Sequence, residues 1–177
     1  MNRWPDINGW MHDSDRTWLY DLVRSLHAAR VVEVGCYEGR TSVVLAMAVQ
    51  QTGGRLDCVD PWDEPVNGDW VAHQWLRHMS QHRVDDVARV HCEKSAEYAQ
   101  RYDGTADLVF IDGGHQYATV RADIEAWYPR SRMVCGHDWH LADVRKAVEE
   151  YADHAAVAVH LPGGTSNVWS FPRRVAY

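Results

Sequence analysis

Short apolar runs alternate along this chain with longer segments in which apolar residues recur every three or four positions. The short runs are typical of buried strands, and the longer segments are typical of helices that pack on one face. Five such pairs predict β-α units, and therefore an α/β protein with helices on both faces of a parallel sheet. The predicted strands are 31–35, 55–60, 88–93, 107–112 and 133–136, and the predicted helices are 14–29, 40–51, 69–82, a short one from Ser95, 117–127 and 141–154.

The chain ends on two further strand patterns. Residues 156–161 and 167–171 flank Pro162-Gly163-Gly164, and this arrangement predicts a hairpin. The sequence contains neither internal repeats nor a low-complexity linker. Because 177 residues suffice for one core and are few for two, we predict a single domain over 1–177.

The stretch VVEVGCYEGRTS at 31–42 carries the clearest functional signal. A strand pattern ends at Gly35, Gly39 follows four residues later, and a helix pattern begins there. Glycines at such a turn permit positive φ and close approach of a ligand, and the helix offers free N–H groups at its positive end. The spacing is neither the Gly-x-Gly-x-x-Gly of a dinucleotide fold nor a Walker loop, since no Gly-Lys-Ser/Thr occurs in the chain.

Charge and hydropathy argue against two classes of partner, nucleic acids and membranes. The net charge is −7, and the scattered lysines and arginines argue against a nucleic-acid interface, which needs a basic patch. No apolar run approaches the ~20 residues that span a bilayer, and the polar N-terminus is unlike a signal peptide. We therefore expect a cytoplasmic protein without membrane contact. The cysteines lack metal-type spacing, which predicts buried, reduced thiols at Cys36, Cys58, Cys92 and Cys135.

Four motifs resemble those of one enzyme family. VEVGCYEGRTSVVLA is similar to the first motif of class I S-adenosylmethionine-dependent methyltransferases, and VDPWD at 59–63 is similar to their acidic second motif. DLVFIDGGHQY at 107–117 and GHDW at 136–139 resemble a narrower branch, the small bacterial metal-dependent O-methyltransferase-like proteins related to macrolide sugar and cephalosporin-type methyltransferases. The resemblance covers essentially the whole chain. It implies a Rossmann-like three-layer sandwich whose seven-stranded, mostly parallel sheet has the order 3-2-1-4-5-7-6 and an antiparallel last strand.

The resemblance also implies a binding site for S-adenosylmethionine. In open α/β sheets ligands bind beyond the carboxyl ends of the strands where the strand order reverses, here between the first and fourth strands. Asp60 ends the second strand, where a carboxylate either accepts the ribose hydroxyls or caps the turn before Pro61. The implied cofactor-binding residues are Glu33, Gly35, Cys36, Tyr37, Gly39, Thr41, Ser42, Asp60, Trp62, Ser95 and Asp112.

Three of these residues have alternative interpretations. Glu33 lies in an apolar strand, where a carboxylate needs a partner: either the methionine part of the cofactor or a salt bridge to Arg40 or Arg55. Trp62 contacts adenine or packs in the interior. Ser95 lies near the adenine edge in the family, or it caps the helix that follows.

A metal site is predicted after the fourth and fifth strands. Neighbouring strands lie ~4.8 Å apart, so Asp112 and Asp138 can share one cation. Two carboxylates suit Mg²⁺, Mn²⁺ or Ca²⁺, and a histidine ligand shifts the preference toward a transition metal. His137 is the third candidate ligand, and here the chain departs from the related enzymes, which carry the first member of an acidic pair or an Asp-Asn pair at this position. The alternative is that both aspartates cap turns and pair with basic side chains.

The predicted reaction is O-methylation of a small hydroxylated metabolite. A cation chelated by two acceptor oxygens lowers a hydroxyl pKa, so we expect a sugar diol, a catechol or a hydroxy-ketone. Asp112 and His115 are the catalytic candidates: His115 is either a general base or a residue that holds its loop. The acceptor cleft is either open or completed by another subunit of a homo-oligomer. Two other classes remain: an S-adenosylmethionine-binding protein without transferase activity, and a nicotinamide oxidoreductase.

Overall fold

The computed structural model describes residues 4–27, 29–63, 67–165 and 167–172. The predicted helices and the five predicted parallel strands are all present in it. The helices are α1 (Asp13–Ser25), α2 (Arg40–Thr52), α3 (Gly68–Gln81), α4 (Ser95–Arg101), α5 (Tyr117–Trp127) and α6 (Ala142–Ala155). The strands are β1 (Arg30–Val34), β2 (Arg55–Val59), β3 (Ala88–His91), β4 (Leu108–Ile111), β5 (Met133–Gly136) and β6 (Trp169–Pro172).

The strands form one sheet in the order β3-β2-β1-β4-β5-β6. The first five are parallel and β6 is antiparallel to β5, which confirms the α/β fold class and its antiparallel last strand. Within the described residues the sheet has six strands instead of the predicted seven. The segment 156–161 forms only one antiparallel bridge, from His160 to Ser170 on the outer side of β6. Pro162 follows at once, and it has no N–H with which to extend the ladder.

The side chains of each strand alternate between the two helical layers. Val31 of β1 packs in a core cluster with α1, α2 and α3, whereas Val32 and Val34 pack in a second cluster with α4, α5 and α6. The central strand β4 is completely apolar and buried on both faces, as expected for a parallel strand covered by helices. This arrangement is the predicted three-layer sandwich. None of the helices in the described ranges is long and apolar enough to cross a membrane.

Hydrogen bonds continue past the carboxyl ends of the strands and align the loops that follow. The N–H of Gly35 donates to the carbonyl of Val59, and the N–H of Asp112 donates to the carbonyl of Val34. The N–H of His137 donates in the same way to Ile111. The loops after β1, β4 and β5 therefore begin side by side, and the strand order reverses between β1 and β4, where such folds bind ligands.

Phe110 tests the assignment of the central strand. It is fully buried in β4, so Phe110→Ala should lower the free energy of unfolding by about 3–5 kcal/mol through lost burial and a cavity. Leu76 on α3 is 53% exposed, and Leu76→Ala should change it by no more than about 0.5 kcal/mol. Urea denaturation of both variants measures the difference. Equal losses would contradict the placement of β4 at the centre of the sheet.

Candidate functional site

The loop after β1 packs directly against the loop after β4. Gly35 has a φ of +83°, and a Cβ atom placed on it would lie 2.4 Å from the carbonyl oxygen of Asp112 and 2.5 Å from the Cα of Gly113. A larger residue would have to push the two loops apart. The sequence suggested that glycine admits a ligand here; the structure shows that the neighbouring backbone already occupies that space. Gly39, with a φ of +91°, begins α2 as its N-cap.

Asp60 holds the same loop from the β2 side. One oxygen of its carboxylate accepts the backbone N–H groups of Cys36 at 2.8 Å and Tyr37 at 3.1 Å. The other oxygen accepts the N–H of Trp62 at 2.8 Å, which is the turn-capping alternative. An ionised carboxylate accepts about four hydrogen bonds, so Asp60 keeps capacity for one more partner. Tyr37 and Trp62 both have positive φ, an unfavourable conformation that concentrates at functional sites.

Glu33 is completely buried beside the loop after β1, residues 35–39, called the glycine loop below. One of its oxygens accepts the Ser42 hydroxyl at 2.5 Å and the Cys58 thiol at 3.5 Å, and the other, Oε1, is buried without a hydrogen-bond partner. Arg40 instead donates to the main-chain carbonyls of the N-terminal segment, so it does not form the salt bridge considered for Glu33. Burial raises the pKa of Glu33 to about 8 against the opposing effect of the Ser42 hydrogen bond.

The loops after β4 and β5 bring together two aspartates and two histidines. Nδ1 of His137 lies 3.2 Å from Oδ1 of Asp138 and 3.5 Å from Oδ1 of Asp112. The other Asp138 oxygen lies 2.9 Å from Nε2 of His115, which is 55% exposed. Asp138 has a φ of +59°. Together with Trp169, these residues line an open depression at the carboxyl end of the sheet.

Burial and mutual contact shift the pKa of each group in this cluster. Burial raises the pKa of Asp112 to about 7, although His137 opposes the change. Burial alone would raise the pKa of Asp138, but hydrogen bonds from His115 and His137 hold it well below its usual range. Burial alone would lower the pKa of His137, but hydrogen bonding and charge from Asp138, with Asp112, bring it to about 9. The cluster therefore favours positive charge between its carboxylates.

Reasoning from the sequence missed Asp15, which the structure places behind this cluster. Asp15 lies on α1, its side chain is fully buried, and its Oδ2 is 3.3 Å from Nε2 of His137. Trp169, also missed, donates its indole N–H to the carbonyl of His137 at 2.9 Å. A signal for Asp15 did exist: it lies one helical turn before Leu19 on the buried face, where an acid is unexpected without a partner.

The remaining predicted cofactor residues lie around the glycine loop, with one exception. The indole N–H of Trp62 donates to the carbonyl of Tyr37, so its ring lies beside the loop. Thr41 and Ser42 are in the first turn of α2, and the Thr41 hydroxyl contacts the sulfur of Met11. Ser95 is the first residue of α4, and its hydroxyl accepts the Trp127 indole N–H at 2.8 Å. Its contact to adenine stays a prediction.

Comparison with known proteins identifies the family. Residues 32–139, more than half of the chain, match a family model described as a methyltransferase domain. The chain belongs to this methyltransferase family. The matched region begins in β1 and ends just after Asp138. It therefore includes the glycine loop and the whole acid–histidine cluster, which consists of Asp112, His115, His137 and Asp138. The resemblance of the four sequence motifs to class I methyltransferases is thereby confirmed.

Individual relatives of this chain are distant. The protein y4gI of Sinorhizobium fredii is 29% identical over 147 residues, which cover 77% of this chain and only 16% of the relative. An O-methyltransferase from Bacillus cereus, solved in complex with SAH (S-adenosylhomocysteine), superposes with a TM-score of 0.74 at 17% identity, covering 96% of this chain and 84% of that one. The O-methyltransferase TomG from Streptomyces achromogenes, involved in tomaymycin synthesis and solved with SAM (S-adenosylmethionine), gives 0.70 at 16% identity, with coverages of 94% and 81%.

The buried carboxyl group of Glu33 predicts a pH-dependent stability. Its pKa is about 8 in the folded protein against an ordinary value of 4.5, so folding favours the protonated form. The stability it contributes is complete below pH 4.5 and is lost as the pH rises toward 8. The free energy of unfolding of Glu33→Gln relative to the wild type should therefore increase when the pH is raised from 5 to 8. The increase should exceed about 1.4 kcal/mol, the equivalent of one pKa unit.

Urea denaturation at the two pH values measures this difference. Glu97→Gln, at an exposed position of α4, is the matched control and should follow the wild type at both values. A Glu33→Gln variant whose stability runs parallel to the wild type would show that Glu33 is ionised in the folded protein.

Proposed function

We propose that this chain is an S-adenosylmethionine-dependent O-methyltransferase whose acceptor is a small metabolite with two neighbouring oxygens. The observation that carries the proposal is the meeting of two structures at one sheet edge. The glycine loop, held by Asp60, lies in backbone contact with the loop that begins at Asp112, next to the acid–histidine cluster. A methyl donor on the first and an acceptor at the second would be neighbours. The family match and the O-methyltransferases of the same fold support this proposal.

The glycine loop has the features of a cofactor site. It precedes the N-terminus of α2, where N–H groups and the helix dipole favour polar ligand groups. Asp60 retains capacity to accept a ribose hydroxyl. Glu33 has a buried oxygen without a partner, Oε1, and such an atom is rare unless a ligand or water completes it. This oxygen supports a contact between Glu33 and the methionine part of the cofactor.

The cluster after β4 and β5 fits a divalent cation. The donor atoms of Asp112, His137 and Asp138 all lie within 4.8 Å of one another. Donors at right angles around an ion with bonds of about 2.1 Å would be about 3.0 Å apart, close to the 3.2 and 3.5 Å separations from His137 Nδ1. A bound cation supplies charge that lowers the pKa of an acceptor hydroxyl and orients it.

His115 is placed to accept the hydroxyl proton. Its ring is exposed at the rim of the depression, and Asp138 holds its Nε2 at 2.9 Å. A carboxylate that orients an imidazole and stabilises its charged form is the usual partner of a histidine base. The hydrogen bond to Asp138 raises the pKa of His115 against the opposing effect of burial. In this proposal Asp138 contacts the cation with one oxygen and orients His115 with the other.

The ribose contact of Asp60 is tested with three ligands. Wild-type protein should bind S-adenosylhomocysteine more tightly than the 2′-deoxy or the 3′-deoxy analogue, whichever lacks the hydroxyl that Asp60 accepts, because a hydrogen bond to a charged group contributes about 1.5–3 kcal/mol. Asp60→Ala should lose this discrimination, whereas Asp85→Ala, at an exposed acid after α3, should keep it. Calorimetric titration gives the affinities. If Asp60→Ala weakens all the ligands by the same factor, Asp60 only braces the loop.

The cation and the reaction are tested together with labelled S-adenosylmethionine. Label should appear in catechol or sugar-diol acceptors in the presence of Mg²⁺ or Mn²⁺ and should disappear with chelator. Asp112→Asn should abolish transfer and still bind S-adenosylhomocysteine, while Asp123→Asn, at a buried acid on α5, should transfer normally. Full transfer in chelator would remove the cation from the proposal. Cofactor binding without transfer to any acceptor would favour a non-catalytic binding protein.

A further inference from the structure

We propose that Asp15 is a positioning residue for the cation site. It holds the ring of His137 so that Nδ1 faces Asp112 and Asp138, and the site thereby binds its ion through a nitrogen ligand. The inference rests on the cation part of the proposed function. It adds a residue from α1, a helix outside the loops that form the site, and it assigns a ligand type that favours first-row transition ions over Mg²⁺.

The geometry of the imidazole carries the inference. Its two nitrogens point in different directions, so a partner at one of them determines where the other points. Asp15 Oδ2 lies 3.3 Å from Nε2, and Nδ1 lies 3.2 Å from Asp138 and 3.5 Å from Asp112. A histidine that binds a metal through one nitrogen almost always donates its other N–H to a carboxylate, carbonyl or water. Asp15 occupies that place.

The rest of His137 is fixed independently of Asp15. The main-chain N–H of His137 donates to the carbonyl of Ile111, and its main-chain carbonyl accepts the indole N–H of Trp169. Only the side-chain torsions of His137 remain to be determined. The side chain is 4% exposed, so bulk water does not compete with Asp15 for Nε2. On the face away from the two cluster aspartates, the side chain of His137 contacts Asp15.

The burial of Asp15 also needs an explanation. Its side chain is completely inaccessible, on a helix whose other buried residues are Arg16, Leu19, Tyr20 and Val23. Burial of a carboxylate costs several kcal/mol unless hydrogen bonds or charge compensate. The Ser14 hydroxyl donates to Oδ1 at 3.2 Å, and the imidazole of His137 faces Oδ2. An acid in this position is what the orientation of His137 through Nε2 requires.

Manganese provides the test, because pulsed electron paramagnetic resonance detects a nitrogen atom bonded to Mn²⁺. Wild-type protein should bind Mn²⁺ and show ¹⁴N coupling, and His137→Asn should lose that coupling. Asp15→Ala should lower Mn²⁺ affinity by about 10- to 100-fold, as for other residues that orient a metal ligand. Asp15→Asn, which keeps an acceptor oxygen, should fall between Asp15→Ala and the wild type. S-adenosylhomocysteine affinity should stay unchanged in every variant, showing that each one is folded.

Two matched variants separate the role of Asp15 from general effects. Asp123→Asn removes another buried carboxylate and should leave Mn²⁺ affinity unchanged. His115→Asn removes the other nearby imidazole and should keep the ¹⁴N coupling. Wild-type affinity and coupling in Asp15→Ala would overturn the inference, and so would Mn²⁺ bound to the wild type without nitrogen coupling. Failure of the wild type to bind Mn²⁺ would overturn both this inference and the cation site of the proposed function. Methyl transfer itself would still be tested by the labelling experiment.

Discussion

The site depends on one backbone contact, between the loop that follows β1 and the loop that follows β4. Gly35 lies so close to Asp112 and Gly113 that no side chain fits between them. This contact places the free N–H groups at the start of α2 beside the first aspartate of the acid–histidine cluster. Asp60 holds the glycine loop on its other side, through two N–H groups. The proposed methyl-donor and acceptor regions are therefore neighbours because β1 and β4 are neighbours, and the main chain determines the distance between them.

The same edge carries features that cost stability. Glu33, Asp112 and Asp15 are carboxylates with little or no solvent exposure, and Tyr37 and Asp138 have positive φ without being glycine. Buried charge and unfavourable backbone usually persist only where the surrounding structure enforces them, and they concentrate where ligands bind. Single features of this kind occur elsewhere too, such as the buried Asp123 and the positive φ of Ala156. At the carboxyl end of the sheet several of them lie close together around the candidate site, and this concentration supports its assignment.

Local patterns predicted most of the fold, because parallel strands and their helices each have a period that appears in the sequence. The exception is the segment 156–161. It has the right apolar residues, but Ala156 is the C-cap of α6 and Pro162 follows Leu161, and the segment forms a single bridge. The candidate site was predicted in part, because the ends of the predicted strands indicated which loops form it and which acidic residues these loops carry. The partners of those residues could not be predicted. Gly35 meets Asp112 across 77 positions, Asp60 binds amides of another loop, and Asp15 meets His137 across 122 positions. Such contacts follow from the packing of elements and from no local pattern.

The pairing of Asp15 with His137 follows from the difference between a carboxylate and an imidazole as ligands. A carboxylate presents two equivalent oxygens, so it tolerates rotation. An imidazole presents each nitrogen along one direction, and it binds an ion only when its ring is oriented. A carboxylate at position 137 would need no orienting partner of this kind. In the proposed cation site the ring of His137 faces the buried Asp15 carboxylate through Nε2, and Asp15 thereby determines the direction of Nδ1. The nitrogen ligand and the group that orients it therefore form one unit, although they come from distant parts of the chain.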